Sequence, residues 1–136
     1  MIFRLAITLV IFSSSLFVSG QGGQKMKYPI VIKFTSIGTG VPDKKPIIEF
    51  IKAFQKKNKI KNIKADTIGP MGKEGEYDLA LPLTELTKKQ KAAFIQQIKK
   101  VGKMPGDRGE IQYEENVTIN EPKTRPLATP QKIIIE

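Results

Sequence analysis

The apolar residues of this chain recur with two different periods, which predict four β-strands and two α-helices. Strict alternation of apolar and polar residues, the period of a strand with one buried face, is clearest over residues 76–83. Spacings of three and four residues, the period of an amphipathic helix, are clearest over residues 43–60 and 87–105. In chain order we predict strand 28–37, helix 43–60, strands 63–68 and 76–83, helix 87–105 and strand 109–119.

The phase of these patterns predicts which side chains are buried between the helices and the sheet. The predicted core residues are Ile30, Ile32 and Phe34 on the first strand, Ile47, Phe50, Ile51 and Phe54 on the first helix, Tyr77, Leu79, Leu81 and Leu83 on the third strand, and Phe94, Ile98 and Val101 on the second helix. The opposite sheet face would carry Lys33, Thr35, Lys64, Asp66, Glu76 and Asp78. We expect a solvated face there, with ion pairs across the strands.

The order strand, helix, strand, strand, helix, strand is typical of the ferredoxin-like βαββαβ fold, a two-layer sandwich with two helices on one face of an antiparallel sheet. We therefore predict an α+β domain over residues 28–119, whose second helix starts at a capping box formed by Thr87 and Gln90. We expect residues 21–27 to form a polar, flexible lead-in. Residues 120–136 contain three prolines and end in KIIIE, so we expect an extended Pro-rich C-terminal tail that can add one short strand.

Residues 1–20 have the composition of a secretory signal peptide. Arg4 supplies the positive start, a short apolar stretch follows, and small residues precede Gln21. We expect cleavage there and an exported protein, periplasmic or extracellular, with an uncleaved N-terminal anchor as the alternative. No later apolar stretch is long enough to cross a bilayer, so we expect no transmembrane span in the mature chain.

The composition lacks most of the residue types that enzymes use for catalysis. The chain contains no cysteine and no histidine, and Ser36 is the only serine after residue 20. Thiol chemistry, a Ser–His pair and zinc sites built from thiolate or imidazole are therefore excluded. We expect no catalytic residue, no metal and no cofactor. An enzyme that uses carboxylates remains the less favoured alternative, and its candidate acids are Asp66, Glu74, Glu76 and Asp78.

Charge indicates the class of partner. Lys and Arg number 23 against 13 acids, a formal charge of +10, and only three of the basic residues are arginine. Because lysine is a hydrated point charge, this composition favours loose attraction to anions over bidentate readout of phosphate or bases. The candidate residues for binding an anion or a partner are Lys44, Lys45, Lys52, Lys56 and Lys59. We expect a polysaccharide, a lipid headgroup or an acidic protein of the cell envelope.

Specific nucleic-acid binding is not expected, because RNA readers of this fold stack bases on aromatic residues of the open sheet face. Here Phe34 and Tyr77 share their faces with predicted core residues. The stretch TSIGTGVPDKKP (35–46) raises a second possibility, a phosphate-binding loop before the first helix. Asp43 as the N-cap would already occupy that position with a carboxylate, and Pro46 lacks an N–H.

The sheet edges offer a different route to function. A four-stranded sheet of this order has two open edges, and the KIIIE segment can cover one of them or donate a strand to a second chain. The alternative to a binding module is therefore an assembly subunit, a homo-oligomer that pairs through an edge strand or its tail.

Overall fold

The computed structural model describes residues 25–38, 40–102, 108–120 and 131–135. The predicted signal peptide, residues 21–24 of the lead-in and residues 121–130 of the tail lie outside the described residues. The protein is α+β, with a five-stranded antiparallel sheet and two helices. Its elements are β1 (Lys25–Ser36), α1 (Lys45–Asn58), β2 (Ile63–Met71), β3 (Glu76–Leu81), α2 (Lys88–Ile98), β4 (Gly109–Asn120) and β5 (Gln131–Ile135).

The strands stand in the order β4-β1-β3-β2-β5, and each is antiparallel to its neighbours. The KIIIE segment supplies β5, which pairs with β2 so that Ile135 lies opposite Ile63. The tail therefore covers the β2 edge in the described structure. Along the described strands, β4 forms the other edge.

Both helices contribute to one core on a single face of the sheet, an arrangement compatible with a two-layer sandwich. The predicted faces of β1 and α1 are confirmed, since Ile30, Ile32 and Phe34 pack with Ile47 and Ile51, all completely buried. The helices meet through aromatic rings. The rings of Phe54 and Phe94 pack edge to face, with 5.0 Å between their centroids. The ring of Tyr77 stacks on Phe34 at 4.6 Å, so this pair faces the helices as its phase predicts.

Helix α2 starts where the sequence predicts and ends earlier than predicted. Helix α2 starts at the predicted capping box, in which the side chains of Thr87 and Gln90 each bond the other's backbone N–H. It ends at Ile98, four residues before Gly102, which the sequence predicts as the stop of this helix. The amides of Lys100 and Val101 bond carbonyls only three residues back, a tighter turn that leads to Gly102 at φ 69°.

The opposite sheet face is only partly solvated, which corrects the prediction for it. Tyr28, Val31 and Ala80 form a second buried cluster there, against which Met26, Ile68, Val117 and Ile119 pack. Strand β1 begins at Lys25, three residues before the predicted start, so the end of the predicted lead-in belongs to the sheet. Those extra residues supply part of the cover.

Tyr28 lies on the face opposite to the one its position predicts. Strict alternation from Ile30 would turn Tyr28 toward the helices, yet it packs with Val31. The change coincides with Pro29, which has no N–H for the ladder, and with Asn116 across from it at φ 55°.

Candidate functional site

The candidate lysines of α1 lie together along one exposed helix face. Lys45, Lys52 and Lys56 are separated by seven and four residues, which is the spacing of one face of an α-helix. This face extends about 16 Å at 1.5 Å per residue. Lys44 is the N-cap at one end, and Lys59 is the C-cap at the other, in the left-handed conformation. We call these five exposed side chains the lysine row.

One acid lies within the lysine row. Glu49, one turn after Lys45, approaches the Lys45 ammonium to 3.9 Å, and both side chains are mostly exposed. Exposed pairs of this kind contribute little because water and salt screen them. The row therefore remains a positive surface, with four of its five lysines in no ion pair among the described residues.

At the start of α1, the backbone amides of Lys45, Ile47 and Ile48 are already hydrogen-bonded. The Lys45 N–H donates to Asp43 Oδ1 at 2.9 Å, and Pro46 has no N–H. The amides of Ile47 and Ile48 both donate to the Lys44 carbonyl oxygen, at 3.0 and 3.1 Å. The N-cap is Lys44, so the prediction of Asp43 at that position is wrong by one residue. Asp43 nevertheless fills the anion position as expected, and Lys44 and Lys45 reach a ligand only with their side chains.

Asp66 is buried, where the sequence analysis expected a solvated carboxylate in an ion pair. Its side chain is 4% exposed and accepts a hydrogen bond of 2.8 Å from the Tyr28 hydroxyl. Burial, and then the bond to Asp66, raise the pKa of Tyr28 far above its usual value. The Lys64 ammonium, the expected ion-pair partner of Asp66, instead lies 3.9 Å from Glu85 Oε1. Asp66 is thus held by a structural hydrogen bond between β2 and β1.

Asp78 sits in a mixed-charge group on the same face. Burial raises the pKa of Asp78, while the nearby Lys33 ammonium opposes the rise. Lys33 donates to Glu114 at 2.7 Å, and this bond raises the pKa of Lys33. This ion pair joins β1 to β4, whereas the four acids predicted to pair on this face are in no ion pair among the described residues: Asp66, Glu74, Glu76 and Asp78. In the described part of the chain no group of three or more acids is arranged to hold a metal ion.

The single serine of the domain is used in a turn. The Ser36 N–H donates to Glu76 Oε1 at 2.8 Å, and its hydroxyl oxygen accepts from the Gly38 N–H at 3.2 Å. A nucleophile needs a neighbouring base and a free approach, and neither contact provides them. The geometry gives no support to catalysis by Ser36.

A groove that sequence reasoning missed runs between α2 and the edge strand β4. It has a volume of about 450 Å³, and one face of α2 forms its wall. The residues of that wall are Lys88, Lys91, Ala92, Ile95, Gln96 and Lys99. From β4 comes Glu115, whose carboxylate bonds the Lys99 ammonium. We call this the α2–β4 groove.

A second groove, of about 420 Å³, begins where the first ends, since Lys91 lines both. Its other residues include Lys27, Pro29, Pro82, Asn116 and Thr118. The spacing of Lys88, Lys91 and Lys99 on one helical face was visible in the sequence. The strand that would lie beside them was not, because strand order depends on pairing between distant segments.

The comparisons with known proteins add no assignment to this geometry. No family model, no curated protein and no solved structure matches the chain. Among the residues that the structure describes, neither helix has the length and apolar character needed to cross a bilayer.

Proposed function

We propose that this protein is an exported, non-catalytic binding module of the cell envelope that holds an anionic partner on the lysine row of α1. The observation that carries the proposal is the row itself: Lys45, Lys52 and Lys56 share one exposed helix face with a single acid, Glu49. Repeated cations at this spacing attract a partner with repeated negative charges. A polysaccharide, a layer of lipid headgroups and an acidic protein each present such charges.

The chemistry of the domain favours binding over catalysis. The buried acid, Asp66, is engaged by Tyr28, and neither Asp66 nor Asp78 lines the two grooves beside α2. We also infer that the domain is a ferredoxin-like βαββαβ unit with a Pro-rich tail. The order β4-β1-β3-β2, antiparallel throughout, supports this architecture, with β5 as an added edge strand.

The test measures binding of fluorescein-labelled dextran sulfate by fluorescence anisotropy. Replacing three row lysines together (Lys45→Gln, Lys52→Gln, Lys56→Gln) should weaken binding about tenfold, because exposed ion pairs contribute roughly 0.2–1 kcal/mol each. The matched control removes three other exposed lysines (Lys73→Gln, Lys89→Gln, Lys100→Gln) and should change affinity less than about twofold.

Salt supplies the second arm of the test. Binding should be lost between about 0.1 M and about 1 M salt, where the Debye length falls from roughly 10 Å to 3 Å. Equal losses in both triple variants, or binding that persists at the higher salt, would contradict the proposal. Parallel titrations with vesicles of anionic lipid and with polyglutamate identify which of the three partner classes the row prefers.

Assembly through β5 is a second candidate function, and one observation favours it. Ile135 is 4% exposed and packs in the main core, so β5 is held by core contacts as well as by strand pairing. The same strand from a second copy can make the same contacts on β2. Light scattering should then show an oligomer for the full chain and a monomer for a chain ending at Asn120. Two monomers would exclude assembly through the tail.

A further inference from the structure

The edge strand β4 carries backbone groups that no other described strand pairs. It has twelve residues, and β1 is its only partner in the described sheet. The opposite edge is already covered by β5. A long uncovered edge is a template for a further strand, because half of its N–H and C=O groups point away from the sheet.

The register shows which residues of β4 present those groups. The Ile37 N–H donates to the Arg108 carbonyl oxygen, and in an antiparallel ladder bonded and non-bonded pairs alternate. Even-numbered residues of β4 therefore direct their N–H and C=O toward β1. The odd-numbered residues, Ile111, Tyr113 and Glu115, direct theirs to the open edge.

The α2–β4 groove lies beside that edge, on the helix side of the sheet. Ile111 and Tyr113 pack against the main core, and the Tyr113 hydroxyl donates to the Val101 carbonyl oxygen just after α2. A strand added along β4 would thus send alternate side chains toward α2. There they would meet the α2 wall of the groove, which includes Lys88 and Lys91.

Charge selects the occupant of the groove. Lys88, Lys91 and Lys99 line it, against the single carboxylate of Glu115, and Lys27 extends the positive charge along the second groove. Among the described residues, Lys99 is the one lysine of these four in an ion pair. An extended segment whose acidic side chains alternate along the strand, so that all of them face α2, complements these cations.

We propose that the β4 edge and the α2–β4 groove together bind an extended acidic peptide segment of a partner protein, which adds to the sheet as a sixth strand. The peptide backbone exchanges hydrogen bonds with Ile111, Tyr113 and Glu115, and these bonds supply affinity. Its acidic side chains meet Lys88 and Lys91, which supply specificity. The site is separate from the lysine row and does not depend on it.

The experiment uses a labelled ten-residue peptide of alternating Glu and Val, titrated into the full chain and followed by anisotropy. Lys91→Glu should weaken binding about tenfold, because it reverses a cation that lines both grooves. Lys89→Glu, the same change at an exposed position of α2 outside both grooves, should weaken it less than about threefold. The triple variant of the lysine row should bind the peptide like the unmodified protein.

Two N-methylated peptides test the strand addition itself. N-methylation of every Val in one peptide and of every Glu in another removes the amides on one side of each peptide and keeps its charge. Affinity should fall at least tenfold for the peptide whose methylated side faces β4. Hydrogen exchange at the Ile111, Tyr113 and Glu115 amides should slow when the unmodified peptide binds. Undiminished affinity of the peptides methylated on either side would overturn the proposal, as would unchanged exchange at the three amides.

Two further outcomes would overturn the proposal. Equal weakening by Lys89→Glu and Lys91→Glu would show attraction to net charge alone. A dimer that pairs through β4 and excludes the peptide would show that the edge serves a second copy of the chain. Failure of dextran sulfate binding leaves this site untouched, and failure of peptide binding leaves the lysine row untouched, so the two proposals are tested independently.

Discussion

The hydrogen bond between Tyr28 and Asp66 explains why the second sheet face is partly buried and carries a buried acid. A carboxylate that is 4% exposed needs a hydrogen-bond donor, and the Tyr28 hydroxyl supplies it from 38 residues away. The sequence pattern predicted a solvated Asp66 because the face opposite the predicted core carries mostly charged residues. Tyr28 and Asp66 lie on different strands, β1 and β2, so neither segment alone reveals their contact.

Replacing the tyrosine hydroxyl should destabilise the fold. Tyr28→Phe keeps the ring and leaves the Asp66 carboxylate without its donor, which should lower the free energy of unfolding by about 1–3 kcal/mol. Urea denaturation at neutral pH measures the change. Tyr77→Phe is the control, since Tyr77 stacks on Phe34 and its hydroxyl bonds no side chain or backbone group among the described residues. A loss no larger than that of the control would contradict the structural role of the pair.

Asp78 should make stability depend on pH. Burial raises its pKa in the fold, so the folded protein favours the protonated form. This contribution to stability is complete below the usual pKa of 3.8 and is lost as pH rises through the raised value. Asp78→Asn should therefore raise the melting temperature at pH 7 and give no increase near pH 3. Calorimetry at both pH values tests this, with the exposed Glu74→Gln as control; an equal increase at both would contradict it.

The elements divide into those that a local pattern predicts and those that depend on distant partners. Helical spacing predicted three of the buried residues of α1, Ile47, Ile51 and Phe54, but not Gln55. The Thr87–Gln90 capping box predicted where α2 starts. Composition allowed a strand at KIIIE, but its pairing with β2 depends on which edge is free. The lysine row follows from spacing on one helix. The α2–β4 groove needs the strand order, which no single segment contains.

The start of β4 depends on a glycine that leaves room for β1. A Cβ on Gly109 would overlap the Thr35 carbonyl oxygen and would lie 2.7 Å from Pro42 Cδ. Because the nearest atom belongs to the backbone, no rotamer change relieves the clash. Gly109→Ala should lower the free energy of unfolding by about 1–3 kcal/mol in urea denaturation. Gly38→Ala, whose Cβ would have nothing within 4 Å, should cost less than about 0.5 kcal/mol. Equal costs would contradict this packing.

The whole molecule presents two separate basic surfaces on one small domain. The lysine row follows the outer face of α1, and the α2–β4 groove opens at the sheet edge farthest from β5. A net charge of +10 draws anions to both, so total binding alone does not separate them. The two surfaces differ in the contacts that we propose for them. The lysine row binds with exposed side chains alone, whereas the α2–β4 groove adds backbone hydrogen bonds from β4.

The most direct test of the proposed function is a chemical-shift titration of the isotope-labelled protein with dextran sulfate. Binding at the lysine row predicts shifts concentrated at Lys45, Lys52, Lys56 and their neighbours on α1, which disappear at about 1 M salt because the charges are screened. It also predicts that Ile111, Tyr113 and Glu115 shift little with this ligand. Shifts spread evenly over all exposed lysines, or centred on β4, would contradict binding at the lysine row.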